Sequence, residues 1–320
     1  MRIWIIGAGS IGLLYAAKLQ LSGTDASLIT RTDEQAKAIT EQGVALAAQD
    51  GAFVARCPAM SVRQAEVCLT DAQAHAPDWI LLTVKQYGLP QLSDFLRRAG
   101  AAWPAAKLLA MQNGIGHLDM LADWFPVSRL YGAVVSEGAE RTGPSAAVHT
   151  GSGQTIIGPA ASDQWSSENV QENLKLLQKV LENAGFRTVL SNRLKDEMWI
   201  KLIINSVINP LTALMEIRNG ALFRHEALVT VMRQLVDEAL AVASLCGVQL
   251  DVAVLWDKLR EVCDRTAGNQ SSTLQDMKTG RPTELPWITG SIVRLGERTG
   301  LAVPTHAMMM RLLEAKEDLR

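Results

Sequence analysis

Two stretches of this chain combine residue types and spacings that can do chemistry. The first is Gly7-Ala8-Gly9-Ser10-Ile11-Gly12, which follows the apolar run Ile3 to Ile6 and opens a helical pattern. Gly7 permits a tight turn, Gly9 lets backbone approach a pyrophosphate, and Gly12 lets helix and strand pack closely. The helix N-terminus then presents N–H groups and a partial positive charge to phosphates. A glycine-rich turn alone would read the same way, but the strand before it and the helix after it are the context that dinucleotide binding requires. The second stretch runs from Glu197 to Pro210. Lys201 is a lone cation in an apolar helical run, and Asn205 and Asn209 follow at i+4 and i+8, so the three side chains share one face. A buried helix would not carry that polar stripe for packing alone. Reduction of a ketone needs a hydride donor and a group that protonates or stabilises the developing alkoxide, and Lys201 is the candidate for the second part. The other reading is a snorkelling lysine paired with Glu197 at i−4. Pattern alone leaves both open.

Smaller signals surround these two. An NAD enzyme usually carries Asp or Glu at the end of the second strand, to bond the ribose hydroxyls. Here that place holds Arg31, whose guanidinium cannot accept such bonds but can grip a 2′-phosphate. Lys85, beyond the apolar run that ends at Val84, offers a second positive charge. Arg31 also reads as a solvated surface residue, and Asp33 and Glu34 keep NAD in play. The polar run Asn269 to Asp276 and the pair Thr283-Glu284 suit recognition of a small carboxylate-bearing substrate, and equally suit helix capping and a loop acid. His75, His117, His149, His225 and His306 show no metal-ligand spacing and form no triad with the scattered serines, so no metal is expected.

The elements that must position these groups follow from periodicity. Ile3 to Ile6, Ala26 to Thr30, Trp79 to Val84, Lys107 to Met111 and Leu130 to Val135 read as buried strands. Helical patterns such as Ile11 to Ser22 and Glu34 to Gln42 alternate with them, as in a doubly wound α/β domain. A glycine-rich segment, Gly151 to Gly158, precedes an amphipathic helix at about Ser167 to Asn183 and a short strand at Arg187 to Leu190. Long helices then dominate, near 193–217, 223–247, 252–266, Thr289 to Thr299 and from His306 to the end. The expected class is α/β, an N-terminal doubly wound sheet over 1–190 followed by an all-α domain over 191–320. The chain's 320 residues exceed what one core usually serves.

Composition narrows the partners. A net charge of −2 gives no basic footprint for nucleic acid. Cys57, Cys68, Cys246 and Cys263 include no close pair, which reads as reduced thiols. The apolar N-terminal run breaks at Gly7, too short for a signal peptide or a membrane span, so a cytoplasmic protein without membrane contact is expected. Apolar helices such as Leu235 to Leu245 could serve a homodimer interface.

Read together, these residues resemble the ketopantoate reductase (2-dehydropantoate 2-reductase) family over essentially the full length. The matching segments are Gly7-x-Gly9-x-x-Gly12, Arg31, Thr83-Val84-Lys85, Gln112-Asn113-Gly114, and His149-x-Gly151-x-Gly153 with Ile157-Gly158. In the second half they are Lys201-x-x-x-Asn205-x-x-x-Asn209-Pro210-Leu211-Thr212-Ala213, Ser271 to Asp276 and Thr283-Glu284. The resemblance implies NADP(H) as cofactor, with Arg31 and Lys85 on its 2′-phosphate and Asn113 by the nicotinamide ribose and substrate. It implies Lys201 as general acid to the C2 carbonyl oxygen of a small 2-oxo acid. Asn205, Asn209 and Asn269 would position the substrate's polar groups, Ser272 would bind its carboxylate, and Glu284 would pair with or orient the centre. Where the family often has a polar residue three positions beyond the lysine, this chain has Gly88. The implied fold is a Rossmann domain joined to a helical domain like that of 6-phosphogluconate dehydrogenase, with the site in a cleft that closes. The implied reaction yields (R)-pantoate, for pantothenate and coenzyme A synthesis. Two alternatives stand beside it: an NAD(P)-dependent dehydrogenase of another branched 2-oxo or 2-hydroxy acid, and a nucleotide-sensing regulator without catalysis. Amides at 205 and 209 speak against a purely apolar side-chain pocket.

Overall fold

A computed structural model describes residues 1–71 and 76–319. His75, one of the five histidines, lies outside them. The chain divides into two compact units, Met1–Gln112 with Gly116–Leu194, and Asn113–Ile115 with Lys195–Arg320.

In chain order the first unit contains β1 (Arg2–Ile6), α1 (Ser10–Leu21), β2 (Asp25–Thr30), α2 (Asp33–Gln42), β3 (Val44–Ala48), β4 (Gly51–Ala55), β5 (Ala59–Ser61), α3 (Val62–Cys68), β6 (Trp79–Leu82), α4 (Ser93–Ala102), β7 (Lys107–Ala110), α5 (His117–Ala122), β8 (Leu130–Val135), β9 (Gly138–Arg141), β10 (Ala146–Gly151), β11 (Thr155–Pro159), α6 (Glu168–Asn183) and β12 (Thr188–Leu190). Its main sheet has the order β12-β11-β8-β7-β6-β1-β2-β5. The pairs are parallel except β8 with β11. Alternation along β1 fills both faces. Ile3 and Ile5 join Leu13 of α1 and Leu177 of α6 on one side, while Trp4 and Ile6 join Phe95 and Leu96 of α4 on the other. Burial of both faces is why these strands read as continuous apolar runs. On either side of β1 the chain runs in opposite directions across the sheet, so the carboxyl ends of β1 and β6 flank a topological switch point, the usual place for a ligand in such sheets.

A second sheet, β4-β3-β10-β9, was not expected from the sequence. Its strands carry alanines and glycines, whose weak hydrophobic contrast leaves little alternation to read. The segment read as glycine-rich, Gly151 to Gly158, contains the end of β10 and most of β11. Helix α1 packs against both sheets. Leu13, Leu14, Tyr15, Ala16 and Ala17 are therefore buried on every side, and α1 shows no amphipathic stripe.

The second unit is helical: α7 (Leu194–Met215), α8 (Glu226–Leu245), α9 (Val252–Arg265), α10 (Ser272–Lys278), α11 (Thr289–Thr299) and α12 (Pro304–Asp318). Its core centres on α7, where Leu202, Ile203, Val207 and Ile208 cluster with Leu235, Val236 and Ala239 of α8 and Ile292 of α11. By length and composition α7 is apolar enough to cross a membrane, but most of its apolar window is buried in the structure, as in a core helix. Beyond its end, Glu216 turns with φ 55°, and Lys316 donates to the carbonyls of Ala213 and Leu214, both at 3.0 Å. The short α10 begins within the polar run that the sequence offered as a recognition cluster or a helix cap.

Candidate active site

The glycine-rich turn is built by close contacts around one carbonyl. Gly7 leaves β1 with φ +116°, and a Cβ there would stand 2.8 Å from both Cγ1 and the backbone N of Val84. A Cβ on Gly12 would come within 1.8 Å of the Gly7 oxygen, so neither position admits a side chain without backbone movement. Gly9 is different: a Cβ there meets nothing within 4 Å. Gly9 also caps α1 and supplies no side-chain bond to the helix's first turn. Those N–H groups have no intrahelical acceptor and point where an anion would be held. The cradle thus fits a pyrophosphate: tight where helix meets strand, open where backbone would face the phosphates.

Other side chains fix this turn. Thr83, just past β6, donates its hydroxyl to the Gly7 carbonyl at 2.8 Å, with the Ile6 carbonyl at 3.1 Å. Gln112 donates to the carbonyls of Leu82 and Val84 at 2.8 and 3.0 Å. From α2, Gln35 donates to Ala8 at 3.0 Å. Sequence reasoning gave none of these three a role, although Thr83 and Gln112 stand in segments it matched. Ser10 and Ile11 begin α1. Arg31 lies exposed just beyond β2. Lys85 is half-buried, with Nζ 6.0 Å from the Tyr87 ring centroid. Of the two acids that kept NAD in play, Asp33 is bonded to Arg63 in a close ion pair and Glu34 is exposed.

The second unit assembles the lysine site. On α7, Lys201 and Asn205 are half-buried and Asn209 is buried, one above another along the helix. Burial lowers the Lys201 ammonium from its usual 10.5 to about 8, and the carboxylate of Glu284 acts against that fall. The charge that steadies the lysine thus comes from a residue distant in sequence. Glu284 is itself buried, 6% exposed, and accepts a hydrogen bond from the amide of Asn113 at 3.0 Å. Asn113, Lys201 and Glu284 therefore form one group. An ammonium kept near neutrality by a buried carboxylate can donate a proton to, or stabilise, an oxyanion.

Asn269 and Ser272 are exposed on the neighbouring loop and at the start of α10, and neither side chain is hydrogen-bonded to that group. Their supports are clear. Thr212 of α7 donates to the Ser271 hydroxyl at 2.7 Å, and Ser271 accepts the Leu274 N–H at 3.2 Å, the capping role that the sequence allowed. Asn219, not singled out from sequence, ties the loop down: its N–H donates to the Asn269 carbonyl at 3.1 Å and its amide to Thr266 at 2.9 Å.

The remaining polar groups are structural in setting. His149 lies 2.8 Å from Glu137, and His306 lies 2.9 Å from Glu238 and 3.3 Å from the Ser206 hydroxyl. Among the described residues no three His, Cys, Asp or Glu side chains cluster as a metal site would require.

Comparison with known proteins places the chain. The sequence profile of the family described as "Ketopantoate reductase PanE/ApbA" matches residues 3–162, and that of "Ketopantoate reductase PanE/ApbA C terminal" matches residues 193–317. A 2-dehydropantoate 2-reductase of Bacillus subtilis (strain 168) is 32% identical over 305 residues, 94% of this chain and 92% of the relative. The crystal structure of a PanE/ApbA family ketopantoate reductase from Ralstonia eutropha JMP134 aligns with a TM-score of 0.83 at 28% identity, over 99% of each chain. The ternary structure of D-mandelate dehydrogenase with NADH and anilino(oxo)acetate shares the fold, with a TM-score of 0.89 at 24% identity over 99% of this chain and 98% of that one. With both profiles matched in order and a relative of this identity aligned nearly end to end, the chain belongs to the ketopantoate reductase family of oxidoreductases.

Proposed function

We propose that this protein reduces 2-dehydropantoate to (R)-pantoate with NADPH, a step toward pantothenate and coenzyme A. The observation that carries the reading is the grouping of Asn113 and Lys201 with the buried Glu284, on the stripe shared with Asn205 and Asn209. The residues of 1–190 would bind the nucleotide: Gly7, Ala8, Gly9, Ser10, Ile11 and Gly12 on the pyrophosphate, Arg31 and Lys85 on the 2′-phosphate. Those of 191–320, with Asn113, would bind substrate and complete the chemistry. NADPH supplies the hydride when bound. Lys201 then donates its proton to the C2 oxygen, so the alkoxide never stands uncompensated in a site of low dielectric. Glu284 keeps that proton on the lysine near neutral pH, and Asn113 holds the carboxylate in place and would stand by the nicotinamide ribose of a bound cofactor. Asn205, Asn209 and Asn269 would take the substrate's hydroxyl and carbonyl, and Ser272 its carboxylate. The amides supply the specificity, since a substrate lacking the terminal hydroxyl would leave the buried Asn209 and half-buried Asn205 amides without that partner.

The test is a rate measurement with ketopantoate and 2-oxoisovalerate, each with NADPH and with NADH. Rapid NADPH oxidation with ketopantoate, and much slower oxidation with 2-oxoisovalerate or with NADH, is the expected result. Equal rates on both acids would remove the role given to Asn205 and Asn209. Binding of NADPH without turnover on either acid would overturn the reaction.

A further inference from the structure

The end of the first unit's sheet carries a charge arrangement that this function leaves unused. Strands β2 and β5 pair in parallel with Thr30 opposite Ser61, so the chains leave the sheet side by side, about 4.8 Å apart. Each then enters a helix through a hydroxyl cap. Thr32 accepts the Gln35 N–H at 3.3 Å, and Ser61 accepts the Gln64 N–H at 3.2 Å while the Gln64 side chain accepts the Ser61 N–H at 2.8 Å. The paired exits bring Arg31 and Asp33 from one strand together with Arg63 from the other. Arg63 reaches across as an otherwise exposed side chain, 81% accessible, to pair with Asp33.

An acid just after the second strand has a definite meaning in a nucleotide site. Free, it accepts from the ribose hydroxyls and repels a phosphate on the 2′ position, which selects NAD. Asp33 is such an acid two residues from Arg31, but it is not free. Ser61 and Arg63 hold its carboxyl below the usual carboxylate range, so it stays charged, and its charge is answered by a guanidinium. We infer that Arg63 is a specificity-determining residue for the nucleotide: by engaging Oδ2 of Asp33 it answers the repulsive charge and leaves Arg31 to face a 2′-phosphate unopposed. The inference rests on the proposed placement of the 2′-phosphate at Arg31, and it extends the determinant to a residue that no glycine motif or strand-end rule singles out.

The experiment needs no turnover. The full chain is titrated calorimetrically with 2′,5′-ADP and with 5′-AMP, two probes that differ only in the 2′-phosphate. Wild type, Arg63→Ala, and Arg63→Ala combined with Asp33→Ala are compared, with thermal melts confirming that each is folded. Wild type should prefer 2′,5′-ADP. Arg63→Ala should narrow that preference by about two- to fivefold, the scale of one exposed ion pair, and removing Asp33 as well should restore most of it. An unchanged preference in Arg63→Ala, with wild type still selective, overturns the inference and spares the placement at Arg31. A double variant no better than the single one shows that Arg63 does not act through Asp33, which also overturns it. A wild type indifferent to the 2′-phosphate overturns both.

Discussion

Replacing Glu284 by glutamine removes one charge beside Lys201 while keeping the side chain's shape and an oxygen for the Asn113 amide. Two effects oppose one another at the ammonium: burial brings it from 10.5 to about 8, and the carboxylate keeps it from falling further. An opposite charge near a buried ammonium favours its charged form, so without the carboxylate Lys201 loses its proton at lower pH. At pH 8 about half of the native protein carries a cationic lysine, and each pKa unit contributed by the carboxylate makes the variant's fraction smaller by about five- to tenfold. At pH 6 the native lysine is almost wholly cationic and the variant's deficit is much smaller. If Lys201 is the proton donor, Glu284→Gln should lower kcat/KM by about fivefold or more at pH 8 and far less at pH 6, because kcat/KM reports groups of the free protein.

The assay is initial-rate oxidation of NADPH by ketopantoate across pH 5.5 to 9.5, repeated with deuterated NADPH so that the isotope effect shows where hydride transfer limits the rate. Superimposable alkaline limbs in the native protein and the variant would refute the argument. A loss of equal size at every pH would give Glu284 a role in holding substrate or Asn113 rather than the lysine's proton. Lys201→Ala supplies the reference: a loss of about 10²–10⁴ in kcat, with NADPH affinity near that of the native protein. An unchanged kcat there removes Lys201 from the mechanism.

Gly9 and Gly12 should separate folding from binding. Gly9→Ala, with open space around the new Cβ, should leave the melting temperature unchanged and weaken NADPH binding at least about tenfold, whereas Gly12→Ala, driven against the Gly7 carbonyl, should cost about 1–3 kcal/mol of stability before any ligand is added. A Gly9 variant that binds NADPH normally would refute the pyrophosphate placement. At Glu238, burial raises the carboxyl, but bonds from the His306 ring and the N–H groups of Thr305 and His306 prevail and bring it from 4.5 to about 2. A depressed acid stabilises above its unfolded pKa and loses that contribution as pH falls through the folded one. The melting-temperature gap between the native protein and Glu238→Gln should therefore be constant above about pH 5 and close between 4.5 and 2; a gap independent of pH would contradict the assignment.

What could be read from the sequence was local. The strand before Gly7 and the helix after it, the five principal strands, and the α7 stripe at 201, 205 and 209 each announce themselves through short-range period. The second sheet did not, because alanine and glycine strands give too little contrast between faces. The choice between two lysines, one paired with Glu197 a turn away and one steadied by Glu284, was undecidable for a deeper reason. Both readings produce the same local pattern, and the deciding residue joins the group only through the fold, as does Asn113, 171 positions from the glutamate it bonds. Arg63 belongs with these, since only the register of β2 with β5 brings it to Asp33.

The same contrast explains where the second unit places its polar bonds. A lysine and two asparagines on a core helix cost stability, and they are useful only if the helix neither rotates nor slides, since a shift of an ångström would spoil alignment at a reacting carbon. Helix α7 is fixed by polar contacts at successive levels. Ser206, one residue past Asn205, faces His306, which Glu238 holds in turn. Thr212, three residues past Asn209, bonds Ser271 at the start of α10. At the helix end Lys316 takes the last carbonyls and pairs with Glu216 at 2.8 Å. Apolar packing alone resists separation of helices far better than rotation or sliding along them, because one leucine contact replaces another at similar free energy, whereas a directional bond is lost outright. Buried hydroxyls beside a polar stripe thus have a mechanical role: they convert a greasy helix into one with a single register.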